Sequence, residues 1–176
     1  MTTVKKMVMT AICVALCVVL PMLFHWIPNA GSVILPMHIP VLLCGFTCGS
    51  PWGAVVGMIS PIMRSVLTGG FPPMFPTAVA MSVELATYGF VSGFLARRLP
   101  KHPGGIYGAL IGAMLCGRIV WGAAMAFITL NGNGFTFAAF VAGAFTNAIP
   151  GIILQLVSIP AIVFTLNRIQ KTPSEV

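Results

Sequence analysis

Three charged side chains lie inside the long apolar stretches of this sequence: Arg64, Glu84 and Arg118. A charge at the centre of a bilayer costs roughly 2.5–3.5 kcal/mol on insertion scales, so such a residue usually has a function. Two arginines and one glutamate leave the group net positive. This suits an anionic or zwitterionic ligand, or one with a urea-like edge that donates to a carboxylate. The three residues therefore predict a polar pocket within a membrane.

The composition is that of an integral membrane protein. Hydrophobic residues make up 58% of the 176 residues and charged residues 6%, whereas soluble domains carry about 25% charged residues. The length allows about six spans of ~20 residues each. We therefore expect an all-α integral membrane protein in the lipid bilayer, a compact bundle of six transmembrane helices forming one domain, residues 1–176. The net charge of +7 comes mainly from residues flanking the spans, so no nucleic-acid partner is expected.

Gly, Pro and basic residues set the expected limits of the spans. The first five cover about 5–24, 36–49, 52–67, 74–95 and 106–130, and Pro21 can kink or stop the first. The stretch 135–167 is too long for one simple span and is interrupted by Pro150 and Pro160, so we expect a short segment feeding a kinked sixth helix. Basic residues near both termini and at 97–101 predict that these three segments are cytoplasmic. With ~1.5 Å rise per residue, Arg64, Glu84, Arg118 and Asn147 can then meet in the outer half of the bundle.

Each candidate side chain also has a purely structural interpretation. Glu84 and Arg118 could form an ion pair that only holds two helices together. His38 could be an interface or packing residue rather than a ligand contact. Trp121 and Tyr88 lie one helical turn after Arg118 and Glu84, respectively. They could stack on a flat ligand or simply pack.

The cysteines and the missing motifs argue against an enzyme. Cys13 and Cys17, and likewise Cys44 and Cys48, are four residues apart, which allows a metal or redox site but is also typical of small apolar packing residues. The sequence has no phosphate-binding G-x-x-x-x-G-K-[ST] loop, so the chain is not expected to bind ATP. We expect no catalytic residue, no metal site and no cofactor.

Several motifs, in this order and spacing, resemble the substrate-binding S components of energy-coupling factor (ECF) transporters, and the resemblance covers nearly the whole chain. It is strongest to the branch that includes riboflavin, pantothenate and folate carriers. The motifs are Leu35–Phe46, Gly53–Gly57, Pro61–Arg64, Gly70–Pro76, Met81–Gly89 and Ala144–Gly151.

The resemblance implies a membrane subunit that binds a vitamin-like substrate with high affinity and acts with a transmembrane coupling subunit and two cytoplasmic ATPases. The S component is thought to topple in the membrane and so carry its pocket inward. Candidate substrates include pantothenate, riboflavin, pyridoxine, and pyrimidine or deazapurine precursors. Glu84 and Arg118 would orient the substrate, with Arg64, His38 and Asn147 as further contacts.

The same resemblance implies a lid from the loops around Trp26 and around Phe71 and Pro72. Ala11 and Ala15 match the small residues by which the family's first helix contacts the coupling subunit. Small residues four apart allow close helix approach, although packing within this chain is the alternative. The competing functional hypothesis is a self-contained carrier or channel that uses the Arg/Glu cluster as a gate.

Overall fold

The computed structural model describes residues 2–24, 33–100, 102–129, 136–146 and 148–171. Within these residues every regular element is helical. The six main helices are α1 (Thr3–Leu23), α2 (His38–Cys48), α3 (Ser50–Leu67), α4 (Val79–Arg98), α5 (Pro103–Ile128) and α6 (Ile149–Lys171). A π-helical turn, Met74–Ala78, leads into α4, and a short helix, Phe137–Val141, continues as a π-helical turn, Ala142–Thr146, before α6.

The helices run back and forth between two ends of the bundle. At one end, the Cys48 thiol reaches the Lys6 carbonyl at 3.9 Å, and the guanidinium of Arg97 lies directly against Gly49. We call this the basic end. The start of α2 at His38 and the loop after α3, residues 68–73, lie at the opposite end, which we call the loop end.

Within the described parts of the chain, four helical stretches are long and apolar enough to cross a membrane: Thr3–Leu23, Met74–Arg98, Pro103–Ile128 and Ile149–Leu166. Helix α2 has only 11 residues, which at 1.5 Å per residue span about 17 Å. It is surrounded by the other helices, and its Val41, Leu42 and Cys44 side chains are fully buried. This architecture confirms the expected all-α membrane bundle.

Helices α3 and α4 approach each other closely because glycines line their contact. A Cβ atom added at Gly53 would lie 2.6 Å from the Gly89 carbonyl oxygen, and one at Gly57 would lie 2.2 Å from that of Leu85. Real Cβ atoms do not come this close, so larger residues would force the helices apart. The packing fixes the position of Glu84, which directly precedes Leu85.

The prolines disturb the helices less than the sequence suggested. Pro150 lies in the first turn of α6, where a missing N–H is tolerated, and Pro160 lies within that helix without ending it. Helix α1 continues past Pro21 and ends at Leu23. The predicted short segment before the last helix is present as Phe137–Val141 and Ala142–Thr146, and α6 itself is continuous through Pro150 and Pro160.

Candidate functional site

An ion pair joins α4 and α5 inside the bundle. Arg118 NH1 donates to Glu84 Oε1 at 2.9 Å, and the two residues are only 5% and 2% exposed. The Nε and NH2 atoms of Arg118 are buried and have no hydrogen-bond partner among the described residues. The pair therefore neutralises the Glu84 carboxylate and leaves hydrogen-bond donors of Arg118 available.

His38, the first residue of α2, lies beside this pair. Its Nε2 atom is 3.6 Å from Glu84 Oε1, beyond ordinary hydrogen-bond length. Within the described chain, neither ring nitrogen has a hydrogen-bond partner. His38 is buried, because α2 lies in the centre of the bundle. The structure thus excludes the interface interpretation and leaves a buried imidazole next to the carboxylate.

Tyr88 packs on both His38 and α5. Its ring meets the His38 ring edge to face, with centroids 5.0 Å apart. A Cβ atom at Gly117 would lie 2.4 Å from the Tyr88 ring, so this glycine lets the ring lie against α5 next to Arg118. Tyr88 and Arg118 also border a cavity of about 200 Å³ that is partly open to the outside of the bundle. Its other lining residues are apolar and come from α5 and α6: Ile111, Met114, Leu115, Ile152 and Leu156.

Arg64 is buried near the cluster but does not join the ion pair. It lies in the last turn of α3 and is 6% exposed. Its NH1 atom is 3.5 Å from the sulfur of Met37, the residue before His38, and its guanidinium lies 5.5 Å from the Phe71 ring centroid. The sequence identified Arg64 as a charge within an apolar stretch. The structure places this residue in surroundings distinct from those of Arg118.

Gln155 is a buried polar residue that the sequence reasoning missed. It is fully buried, and neither its amide nitrogen nor its amide oxygen has a hydrogen-bond partner among the described residues. It faces inward with Gly151, Ile159 and Val163, which are spaced four residues apart along α6. The sequence does place a single glutamine on the apolar side of this helix, four residues from Gly151 and from Ile159. Because glutamine is uncharged, the search for charges within apolar stretches did not identify it.

The loop that follows α3 is tied back onto that helix. The Ser65 hydroxyl donates to the Pro72 carbonyl at 2.7 Å, and the Thr68 hydroxyl contacts the Phe71 carbonyl. The Phe71 ring is 53% exposed and lies over Arg64. The loop thus covers Arg64 at the loop end of the bundle.

The remaining site candidates lie apart or outside the described residues. Trp121 stacks on Phe140, with ring centroids 6.3 Å apart, and its ring packs against Gly143. It therefore contacts the segment before α6. Asn147 and Trp26 lie outside the described residues.

A second, larger cavity lies away from the charged cluster. A cleft of about 430 Å³ opens at the basic end, where Lys6, Gly49 and Arg97 contribute to its walls. No acidic residue and none of the predicted substrate contacts lines it. We therefore place the candidate site at the buried cluster of Glu84, Arg118 and His38, next to the smaller cavity that Arg118 and Tyr88 border.

Four of the five cysteines pack in the hydrophobic core. Cys13, Cys17, Cys44 and Cys48 belong to the hydrophobic core, and all five cysteines are free thiols. Among the described residues no group of three or more His, Cys, Asp or Glu side chains could hold a metal ion. The packing interpretation of the two cysteine pairs accounts for their positions.

Ala11 and Ala15 lie on the outside of the bundle. Both are exposed on α1, whereas the core-facing side of that helix carries Cys13 and Cys17. Packing within this chain therefore does not explain the pair. A face of small residues directed away from the bundle remains open to contact with another helix.

A comparison with protein-family models agrees with the resemblance drawn from the motifs. The model of the ECF transporter substrate-specific component matches residues 5–163. Proteins of this kind are transport subunits that bind a small substrate and work with a transmembrane coupling subunit and ATPases. No curated protein matches the chain significantly in a sequence search. Because the family match covers most of the 176 residues, this chain belongs to the substrate-specific components of ECF transporters.

Proposed function

We propose that this protein is the high-affinity substrate-binding subunit of an ECF-type importer for a small water-soluble vitamin or related micronutrient. The observation that carries the proposal is the buried cluster of Glu84, Arg118 and His38. Removing these groups from water is costly, and hydrogen-bonding atoms of Arg118 and His38 have no partner within the described chain. A polar substrate would supply those partners.

The proposed binding site includes the side chains that surround this cluster. Glu84 and Arg118 orient the substrate, and Tyr88 forms one wall of the cavity. Arg64 approaches from the loop end, and Phe71 and Pro72 act as part of the lid. Asn147, Trp121 and Trp26 complete the proposed set of substrate and lid residues.

The charge distribution supports a defined orientation. Lys5, Lys6, Arg97 and Arg98 lie at the basic end, and basic residues adjacent to spans favour the cytoplasmic side. Both termini are then cytoplasmic, and the loop end faces outward. Arg64 and His38 lie in the outermost turns of their helices, so the site would receive a substrate from outside the cell.

The proposed partners follow from the family and from α1. A transmembrane coupling subunit would dock on the exposed face of Ala11 and Ala15, and two separate ATPase subunits would hydrolyse ATP. Residues 1–176 would act as a single transmembrane domain. The chain itself would bind substrate without chemical conversion.

Reconstitution into lipid vesicles tests the division of labour. With radiolabelled pantothenate, riboflavin and pyridoxine outside, vesicles containing only this chain should accumulate none of them. Vesicles that also contain the coupling subunit and the ATPase pair should accumulate the substrate when ATP is supplied inside, on the ATPase side. Accumulation by the chain alone would contradict the proposal and favour a self-contained carrier.

A further inference from the structure

Arg64 is a buried cation without a counter-ion in the described chain. The only acidic side chain there is Glu84, which is held by Arg118 and faces His38. The neighbours of Arg64, the Met37 sulfur and the Phe71 ring, are neutral. Its Nε atom is buried with no hydrogen-bond partner. An unpaired charge is costly to bury, so this position is suited to an anion that the protein itself does not provide.

Gln155 provides an uncharged donor and acceptor, in contrast to the cation of Arg64. A Cβ atom at Gly151 would lie 2.8 Å from the Val33 and Ile34 carbonyl oxygens, so the start of α6 lies against the segment leading into α2. From this contact, four residues lead to His38 at the start of α2 and four residues along α6 lead to Gln155, and α2 and α6 pack against each other. The free N–H and C=O groups of Gln155 match an amide, lactam or urea, each of which carries both an acceptor and a donor.

The charges of the described site add up to one positive unit when His38 is neutral. Arg64 and Arg118 contribute two positive charges and Glu84 one negative charge, and all three are buried. A substrate with a single negative charge would balance this sum, whereas a cation would increase the imbalance. The cavity beside Tyr88 and Arg118 is about 200 Å³, below the ~300–1,000 Å³ of drug-sized sites, which favours a small molecule.

We infer that the substrate is a small monoanion whose anionic group binds Arg64 and whose neutral, amide-like group binds near Gln155 and His38. Its short apolar part lies along Tyr88 and the apolar cavity wall. The inference rests on the proposed function and specifies the substrate class for that site. It assigns Arg64 the anion and leaves Arg118 as the partner of Glu84.

The first test is to identify the molecule that the gently purified full-length protein carries. The bound molecule should be extracted from the protein. Its elemental formula and its electrophoretic mobility at pH 7 should then be determined. We expect one negative charge and an amide, lactam or urea group. A neutral or cationic molecule would overturn this inference and leave the proposed function intact. A phospholipid as the sole bound anion would show that Arg64 holds a headgroup, and it would overturn the inference. An empty protein would contradict the proposed function, and the inference would fail with it.

The second test replaces Arg64 with a neutral residue of similar length. Arg64→Gln should weaken binding of the extracted molecule roughly tenfold to a hundredfold, as expected when one charged hydrogen-bond partner is lost. Arg97→Gln removes an exposed arginine at the basic end and should leave binding unchanged. Ligand-free Arg64→Gln should melt at or above the temperature of the ligand-free wild type, because an unpaired buried charge is gone. Wild-type affinity in Arg64→Gln would overturn the inference, and so would a loss of binding no greater than that of Arg97→Gln.

Discussion

The Glu84 carboxylate and the Arg118 guanidinium form a 2.9 Å ion pair between two helices, although they are 34 residues apart in sequence. The pair lies where α4 packs against α3 through glycines and against α5 beside Gly117. Its position is therefore fixed by backbone packing as well as by charge. This explains how a flexible arginine is held in one position, as the proposed substrate contact requires.

Single and paired substitutions should separate the structural and binding roles of this pair. Arg118→Ala leaves a buried carboxylate without its partner, so we expect a loss of ~3–5 kcal/mol in unfolding free energy. The double variant Glu84→Gln/Arg118→Met removes both charges and should unfold close to the wild-type temperature in detergent. It should nevertheless lose substrate binding. If the stable double variant still binds substrate, the pair is only structural.

Close packing of α3 on α4 should be sensitive to a single methyl group. Gly57→Ala would place a Cβ atom 2.2 Å from the Leu85 carbonyl oxygen, and we expect a cost of ~1–3 kcal/mol as the helices shift. Gly108→Ala is the matched control, because its nearest non-neighbouring atom would be 3.5 Å away. Thermal unfolding of both variants measures the difference. Equal melting temperatures would contradict the proposed close contact.

Gln155→Leu should have opposite effects on stability and binding. Two buried polar atoms without partners are removed, so the ligand-free protein should gain up to ~1–3 kcal/mol in unfolding free energy. Substrate affinity should fall, because the amide contact is lost. Ser158→Ala, a change on the same helix outside the proposed site, should alter neither property strongly. A destabilised Gln155→Leu variant would show that the glutamine has a partner within the protein.

The exposed alanines of α1 should matter for assembly alone. Ala11→Trp/Ala15→Trp places bulk on a surface directed away from the bundle, so the fold and substrate binding should persist. Co-purification of the coupling subunit should fail, since close helix approach requires small residues. Ile119→Trp, at another exposed position, serves as the control. Retention of the coupling subunit by the alanine variant would place the docking surface elsewhere.

The sequence identified those features that contrast strongly with an apolar background. Long apolar runs bounded by Gly, Pro and basic residues predicted the helices to within a few residues. Charges within those runs identified Glu84, Arg118 and Arg64. The sequence also predicted similar depths for Glu84 and Arg118. Because α4 and α5 are antiparallel neighbours, the two side chains can meet at that depth.

Features that depend on packing could not be predicted in the same way. His38 is buried because the short α2 lies at the centre of the bundle, which its position at the start of a span did not reveal. Gln155 carries no charge and has importance only because its neighbours leave its amide without partners. The sequence ranked Arg64 behind Arg118 as a substrate contact, but only the structure shows that Arg64 contacts Met37 whereas Arg118 contacts Glu84.

Native mass spectrometry of the gently purified protein tests the central claim most directly. The wild type should carry one vitamin-sized molecule per chain, and the double variant Glu84→Gln/Arg118→Met, prepared in parallel, should be empty while remaining folded. This result would establish a high-affinity binding subunit whose site includes the buried ion pair. An empty wild-type protein, or equal occupancy in both proteins, would contradict the account.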